Sequence, residues 1–342
     1  MNRRKFLKDS AFGLVGVTAA LNSVPVRANA IRPIKCRKPV TAKTSRAALI
    51  KGEERYSNVT KALALIKGGI KQGIGHKQVV IKPNFVVTNK QLAATHVDCI
   101  TAILDMLKPI YDRPVILAES PAFDPASVGF ANYGYHRLQE KYDVKFVELD
   151  EARPSRLFIC DKNLQPLPIQ VSSLLMDPDV YLISSAVMKT HDTVVATLSL
   201  KNVLMGAPLK IGGKTYKRDV HQGIKQINFN LFNMAMSLKP DLAVIDGFVG
   251  MEGNGPVSGT PVDTGVAIAS TDFLSADRIA VEVMGIDFAK IGYLSYCARA
   301  NLGVSDLSRI ELLGEDVSDC RHTFRLHENI DKQYQWQETS GV

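Results

Sequence analysis

Two lysines, a histidine, an asparagine and several hydroxyls fall within residues 188–206, MKTHDTVVATLSLKNVLMG. Lys189, Thr190 and His191 follow directly on an apolar run, residues 180–187, of the kind that forms a buried parallel strand. Ser199, Lys201 and Asn202 come ten residues later, after a short apolar segment. Lysine supplies point charge, and Asn, Ser and Thr supply oriented donors and acceptors, so this group could converge on one anionic ligand. The bland alternative is a solvated strand-to-helix loop with surface lysines. If residues 197–201 are helical, Thr197 and Lys201 share a face. If they are extended, Ser199 and Lys201 do.

Further candidates lie elsewhere in the chain. Residues 251–261, MEGNGPVSGTP, hold Gly253 and Gly255, whose backbone N–H groups could form an anion nest; a tight turn would favour the same residues. His221, after the basic loop 210–218, could be a general acid or base, a metal ligand or a surface or capping histidine. Glu119, Asp246, Glu252 and Asp272 could give oxygen ligands to a divalent cation. Asp272 also suits the start of the next helix, and Asp277, one turn in, suits that helix's dipole. No HExxH, GxSxG or GxGxxG motif is present, and Gly213-Lys214-Thr215 lacks the earlier glycine of a phosphate-binding loop.

These residues need elements to place them. Helical spacing of Val59, Leu63 and Ile66 predicts a helix over 58–67, and further helices are expected over 96–107, 130–142, 224–238 and 275–284. Strands are expected at 79–81, 115–118, 145–149, 180–184, 242–245 and 266–269, with 310–313 closing the sheet. This alternation implies an α/β fold, a mostly parallel sheet with helices on both faces, interrupted by a hairpin near 157–171. Lys82, Asn84, Glu119, Lys189, His191, Asp246 and Asp272 all follow strand carboxyl ends, the edge where open α/β sheets bind ligands.

The N-terminus sets the expected compartment. Asn2-Arg3-Arg4-Lys5-Phe6-Leu7-Lys8 resembles the twin-arginine export motif, with Asn in the place of Ser or Thr. An apolar run, 11–21, and Ala28-Asn29-Ala30 complete a signal peptide cleaved near Ala30, with the twin-arginine translocase as partner and a periplasmic or extracellular destination. No later run is long enough to span a membrane. The net charge is +8, of which residues 1–30 carry +4 through Arg3, Arg4, Lys5, Lys8 and Arg27 against Asp9, so nucleic acid is not expected as a partner. Cys36, Cys99, Cys160, Cys297 and Cys320 form no CxxC pair and no iron–sulfur pattern, and read as isolated buried thiols. The expected organisation is a signal peptide (1–30), an irregular arm (31–56), one α/β domain (57–314) and a tail (315–342).

Lys82-Pro83-Asn84, Glu119-Ser120, Lys189-Thr190-His191, residues 197–202 (TLSLKN), Met205-Gly206, His221, Asp246-Gly247, residues 251–256 (MEGNGP) and the aspartates 272 and 277 occur in an order that resembles the domain of unknown function 362 family. The resemblance spans residues 79–314 and implies an α/β fold. It gives no reaction and no proven catalytic residue. Some members carry a ferredoxin-like segment, whose cysteines this chain lacks.

Two functions fit. One is an enzyme on a phosphate- or carboxylate-bearing small molecule: Lys82, Asn84, Lys189, Thr190, Lys201, Asn202, Gly253 and Gly255 bind the anion, His191 or His221 moves protons, and a divalent cation stabilises developing charge. The other is a non-catalytic accessory of an exported redox system using the same pocket. Oligomeric state has no signal in the sequence.

Overall fold

The computed structural model describes residues 43–337. The twin-arginine motif, its cleavage site and Cys36 lie outside these residues. In chain order the elements that matter are β1 (Ser45–Lys51), α1 (Arg55–Ile74), β2 (Gln78–Lys82), α2 (Val97–Leu107), β3 (Val115–Glu119), α3 (Ala126–Asn132), β4 (Val144–Glu148), β5 (Pro154–Cys160), β6 (Pro166–Ser172), β7 (Val180–Thr190), β8 (Ala196–Thr197), α4 (Ser199–Gly206), β9 (Lys210–Ile211), β10 (Lys214–Thr215), α5 (Tyr216–Val220), α6 (Ile224–Ala235), β11 (Leu242–Glu252), β12 (Thr260–Ser270), α7 (Phe273–Val283), α8 (Gly292–Arg299), β13 (Ile310–Gly314) and α9 (Ile330–Gln333).

One sheet runs in the order β13-β1-β12-β11-β7-β2-β3-β4, with β8 paired to the end of β7. The pairs β1–β13, β11–β7, β7–β2, β2–β3 and β3–β4 are parallel; β12 is antiparallel to both β1 and β11. Alternating side chains enter two separate cores, as the two-residue period of a strand requires. Ala48, Ile50, Val79, Ile81, Tyr181, Ile183, Leu242 and Val244 pack with α1 and α2. Their neighbours Ala47, Leu49, Val80, Leu182, Ala243 and Ile245 pack with α4, α6 and α7. Helices therefore cover both faces of a mostly parallel sheet, and β5 and β6 form the expected hairpin as a separate two-stranded sheet.

Several boundaries differ from expectation. The irregular arm expected over 31–56 is, in its described part, β1 and the start of α1. Its short run Ala47–Ile50 carries little strand signal by itself; pairing on both sides decides the outcome. The expected helix 130–142 is broken into α3 and a 3₁₀ segment, Tyr135–Glu140, by Gly134 at φ 71°. Both β7 and β11 run on past the expected strand ends, so Lys189 and Thr190 are strand residues. The glycine-rich segment 253–259 is the hairpin turn between β11 and β12. The expected tail contributes Phe324, Gln333 and Trp336, all buried. Cys99, Cys297 and Cys320 are buried and Cys160 half-buried, all as free thiols.

Candidate functional site

A cavity of about 600 Å³ opens beyond the carboxyl ends of β2, β3 and β7. Its wall includes Lys82, Asn84, Glu119, His191, Lys201, Asn202, Lys217, His221 and Gly255, with Phe85, Val86, Phe123 and Val257 among its apolar lining.

A closed polar network forms one wall. The Lys82 ammonium, 1% exposed, lies 2.7 Å from Glu119 Oε1 and donates to Glu119 Oε2, Pro83 O and Asn202 Oδ1, each at 2.9 Å. Glu119 also accepts the backbone N–H groups of Phe85 and Ser120 at 2.8 Å. Because lysine only donates, Asn202 must turn its oxygen to Lys82, and Asn84 Nδ2 donates to the same oxygen at 3.0 Å. The Asn202 amide nitrogen donates to Ser184 Oγ at 3.0 Å and Lys82 O at 3.2 Å. A Cβ on Gly206 would lie 1.7 Å from Lys82 Cε, so the glycine makes room for the lysine. Burial lowers the Lys82 pKa, and the charge of Glu119 opposes that shift.

The helix α4 carries the second wall. Its N-terminus is fixed by Asp277, which accepts from Ser199 N at 2.9 Å, Ser199 Oγ at 2.6 Å and Leu200 N at 3.2 Å. The carboxylate of Asp277 therefore serves α4, not only the start of its own helix. Burial pushes its pKa up to about 7 despite these bonds. Two residues on, Lys201, 5% exposed, places Nζ 2.9 Å from His191 Nε2. His191 Nδ1 accepts the Thr193 backbone N–H at 3.0 Å, with the Thr193 hydroxyl at 3.0 Å and Asp192 Oδ1 at 2.9 Å from the same nitrogen. Burial, then the charge of Lys201, pushes the His191 pKa down to about 3, so the imidazole is neutral. Burial brings Lys201 down to about 8.

The segment bearing His191 is held from far along the chain. Val195 sits at φ 69°, a conformation costly for a β-branched residue. Its N–H donates to Gln333 Oε1 at 2.6 Å, and Gln333 Nε2 donates to His191 O at 2.9 Å. Asn329 Nδ2 donates to Asp192 O at 2.9 Å.

Opposite, α5 presents Lys217, 7% exposed, whose Nζ donates to Met205 O at 2.9 Å and lies 3.5 Å from Gly206 O, at the carboxyl end of α4. Burial pushes its pKa down to about 7, against the charges of Glu119 and Asp150. His221 Nδ1 lies 2.9 Å from Lys217 O, which fixes that nitrogen as the donor and leaves Nε2 as an acceptor. The His221 ring faces the open cavity, yet the walls around it and the charge of Lys201 lower its pKa. Among the described residues, neither Lys201 nor Lys217 has a carboxylate within ion-pair distance.

Other expected site residues are placed elsewhere. Lys189 does not line the cavity: it is fully buried and donates to Ala93 O at 2.8 Å. Burial, with Lys201 and Lys82 nearby, holds its pKa well below normal. The Thr190 hydroxyl donates to Gly253 O at 2.8 Å. The expected anion nest is absent: Gly253 N donates to Arg325 O at 2.6 Å and Gly255 N to Gly253 O at 2.8 Å. Gly255 is needed for closeness, because a Cβ there would meet Thr190 O at 2.2 Å. Of the four carboxylates considered for a cation, only Glu119 reaches the cavity. Asp246 pairs with Arg55 at 2.9 Å, Glu252 accepts from Arg325 N at 2.9 Å, and Asp272 caps α7 through Leu274 N at 2.9 Å and accepts from Val304 N at 2.8 Å. Among the described residues, no three His, Cys, Asp or Glu side chains are grouped to hold a metal ion.

Sequence reasoning passed over Lys217, Asp192 and Gln333. Lys217 sits in a basic run that reads as solvated charge; Asp192 was legible as the residue beside His191. Nothing in the sequence ties Gln333 to position 191. No helix among the described residues is long and apolar enough to cross a membrane.

The chain is 26% identical over 230 residues to a thylakoid-associated protein of Synechocystis sp., spanning 67% of this chain and 68% of that protein. Solved structures similar to it include the lactate racemase apoprotein from Thermoanaerobacterium thermosaccharolyticum, with TM-score 0.44, 13% identity and coverage of 71% of this chain. A Thermotoga maritima protein gives TM-score 0.36, 12% identity and coverage of 74%. The chain spans 58% and 59% of those two proteins, less than two thirds of each. Residues 79–282, from β2 to α7, match the family described as Domain of unknown function (DUF362). This stretch contains Lys82, Glu119, His191, Lys201, Lys217, His221 and Asp277, the residues that build the cavity wall and hold α4; the chain belongs to the DUF362 family.

Proposed function

We propose that the protein binds a small-molecule anion in this cavity, between Lys201 and Lys217, with His221 placed to move a proton. One observation carries the reading: two buried lysines line the cavity, and among the described residues neither has a carboxylate within ion-pair distance. Burying an unpaired cation is costly, and a ligand carboxylate or phosphate would remove the cost. His221 Nε2 adds a neutral acceptor on the same cavity. A volume of about 600 Å³ suits a metabolite-sized molecule rather than a bare ion.

Calorimetric titration with inorganic phosphate and with malonate tests this. Lys201→Ala and Lys217→Ala should each weaken binding about ten- to a hundredfold, the value of one charge-assisted hydrogen bond. Wild-type affinity in both variants would refute the site. Affinity should also fall as pH rises past about 7 and 8, where Lys217 and Lys201 lose their protons, and binding should take up protons in that range. A flat profile between pH 6 and 9 would count against lysine as the anchor.

The proposal includes export by the twin-arginine route, supported by the leader residues Arg3 and Arg4. Replacing both by lysine should hold the precursor in the cytoplasm, and exported protein should begin near Ile31. Normal export of that variant would exclude the route.

A further inference from the structure

We propose that Lys201 is an amine nucleophile that forms an imine with the carbonyl carbon of an oxo acid bound in the cavity. The ligand's charge rests on the anion-site reading, with Lys217 as its partner; the nucleophile rests on the geometry of Lys201 itself.

The buried lysines of this region differ in what they touch. Lys82 has a carboxylate at 2.7 Å and two further oxygen acceptors, a shell that fixes it as ammonium. Lys189 donates to a backbone carbonyl away from the cavity. Lys217 faces the cavity but gives its hydrogens to the carboxyl end of α4, where carbonyl oxygens favour a cation. Lys201 alone among these four both lines the cavity and has a ring nitrogen, rather than a carboxylate or carbonyl oxygen, as its hydrogen-bond partner, His191 Nε2 at 2.9 Å. Behind that ring, Asp192 Oδ1 and the Thr193 N–H both lie against Nδ1, at 2.9 and 3.0 Å, and fix its orientation. Burial, which brings Lys201 down to about 8, leaves a usable fraction of free amine at neutral pH. The capped N-terminus of α4 and the Gln333 clamp on the His191 segment hold both partners in place.

The step balances without an external redox partner. The free-amine fraction of Lys201 supplies the nucleophile, and its Nζ lone pair attacks the carbonyl carbon. The carbonyl π pair moves to oxygen, which takes one of the two hydrogens of the attacking nitrogen as a proton. The carbinolamine nitrogen then loses its second hydrogen as the hydroxyl, protonated in turn, departs as water, and a C=N bond joins substrate to Lys201. The imine can be protonated there and draw electrons from the adjacent carbon, while His221 Nε2 is available to accept a proton.

Trapping tests this on the unmodified chain. Full-length protein is incubated at pH 7 with glyoxylate and sodium cyanoborohydride, which reduces an imine to carboxymethyl-lysine, then digested and mapped by mass spectrometry. Lys201 should be labelled at least about tenfold faster than exposed Lys67, as expected of a lysine with a lowered pKa. Inorganic phosphate should slow that labelling, and acetaldehyde, which lacks the charge, should label Lys201 more slowly than glyoxylate. Lys201→Arg keeps a cation but cannot form the imine, so this label should vanish while the thermal melt stays close to wild type. Labelling of Lys201 no faster than of Lys67, or concentrated on Lys217, would overturn the proposal. Equal labelling of Lys201 by acetaldehyde and glyoxylate, with no effect of phosphate, would keep the nucleophile and refute the anion site. Calorimetric phosphate binding with Lys201 unlabelled would do the reverse.

Discussion

Glu119→Ala should lower folding stability by about 3–5 kcal/mol, the loss typical when one partner of a buried ion pair is removed. Lys82 and Glu119 side chains are 2% and 1% exposed, so water cannot replace the missing carboxylate. The variant leaves an ammonium with only neutral acceptors and strands the N–H groups of Phe85 and Ser120. Asn202 is oriented by Lys82, so the damage should extend to the cavity wall. Removing the cation as well, in Glu119→Gln with Lys82→Met, should recover part of the loss, because glutamine still accepts one stranded N–H. Urea denaturation of the three proteins measures this. A loss under about 1 kcal/mol in Glu119→Ala, the range of an exposed pair, would show that the pair is not buried in solution.

Asp277 should make the protein more stable in mild acid than at neutral pH, by its own contribution on the order of 4 kcal/mol. Burial raises its folded pKa to about 7 from the ordinary aspartate value of 3.8. A raised carboxyl pKa means that the folded state binds the proton more tightly than the unfolded state. The ionisation penalty is therefore absent below about pH 4, grows between 4 and 7, and is full above 7. Asp277→Asn, which cannot ionise, should remove this slope while its amide oxygen keeps part of the α4 cap. Denaturation curves collected between pH 4 and 8 for both proteins, subtracted, isolate the term. Parallel curves would mean that Asp277 is ionised throughout the range, held so by its three hydrogen bonds.

The sheet was legible because its strands are short apolar runs separated by amphipathic helices, and that periodicity is local. What lay outside it was decided by contacts distant in sequence. Nothing near Ala47 announces that Ser270 and Leu312 will flank it. The convergence of Lys82, Glu119, Asn202 and Lys201 follows from strand ends and α4, so the cavity wall could be anticipated from residue types after strands. Direction could not. Lys189 and Lys201 look alike in sequence, yet one enters the core and the other the cavity, because β7 continues through Lys189 and alternation alone chooses its face. The glycine loop misled for a related reason: its flexibility serves close packing against Thr190, not open N–H groups. The carboxylates suggested for a cation already had partners, Arg55, Arg325 and the first turn of α7, that only the folded chain brings near them.

The position of β1 between β12 and β13 has a consequence for how the chain is made. During synthesis, residues 45–51 emerge among the earliest of the fold, but both neighbours of this strand belong to the last quarter of it. Until then its apolar residues Ala47, Ala48, Leu49 and Ile50 have open backbone groups on both sides, a template for pairing with another nascent chain. The same delay applies to Gln333, without which the strained turn at Val195 has no anchor. Folding is thus gated by completion of the polypeptide, and a ribosome stalled before residue 260 would display an unpaired strand edge and an unassembled cavity. Slow, late closure is the kinetic signature expected of a sheet whose first strand waits for its last.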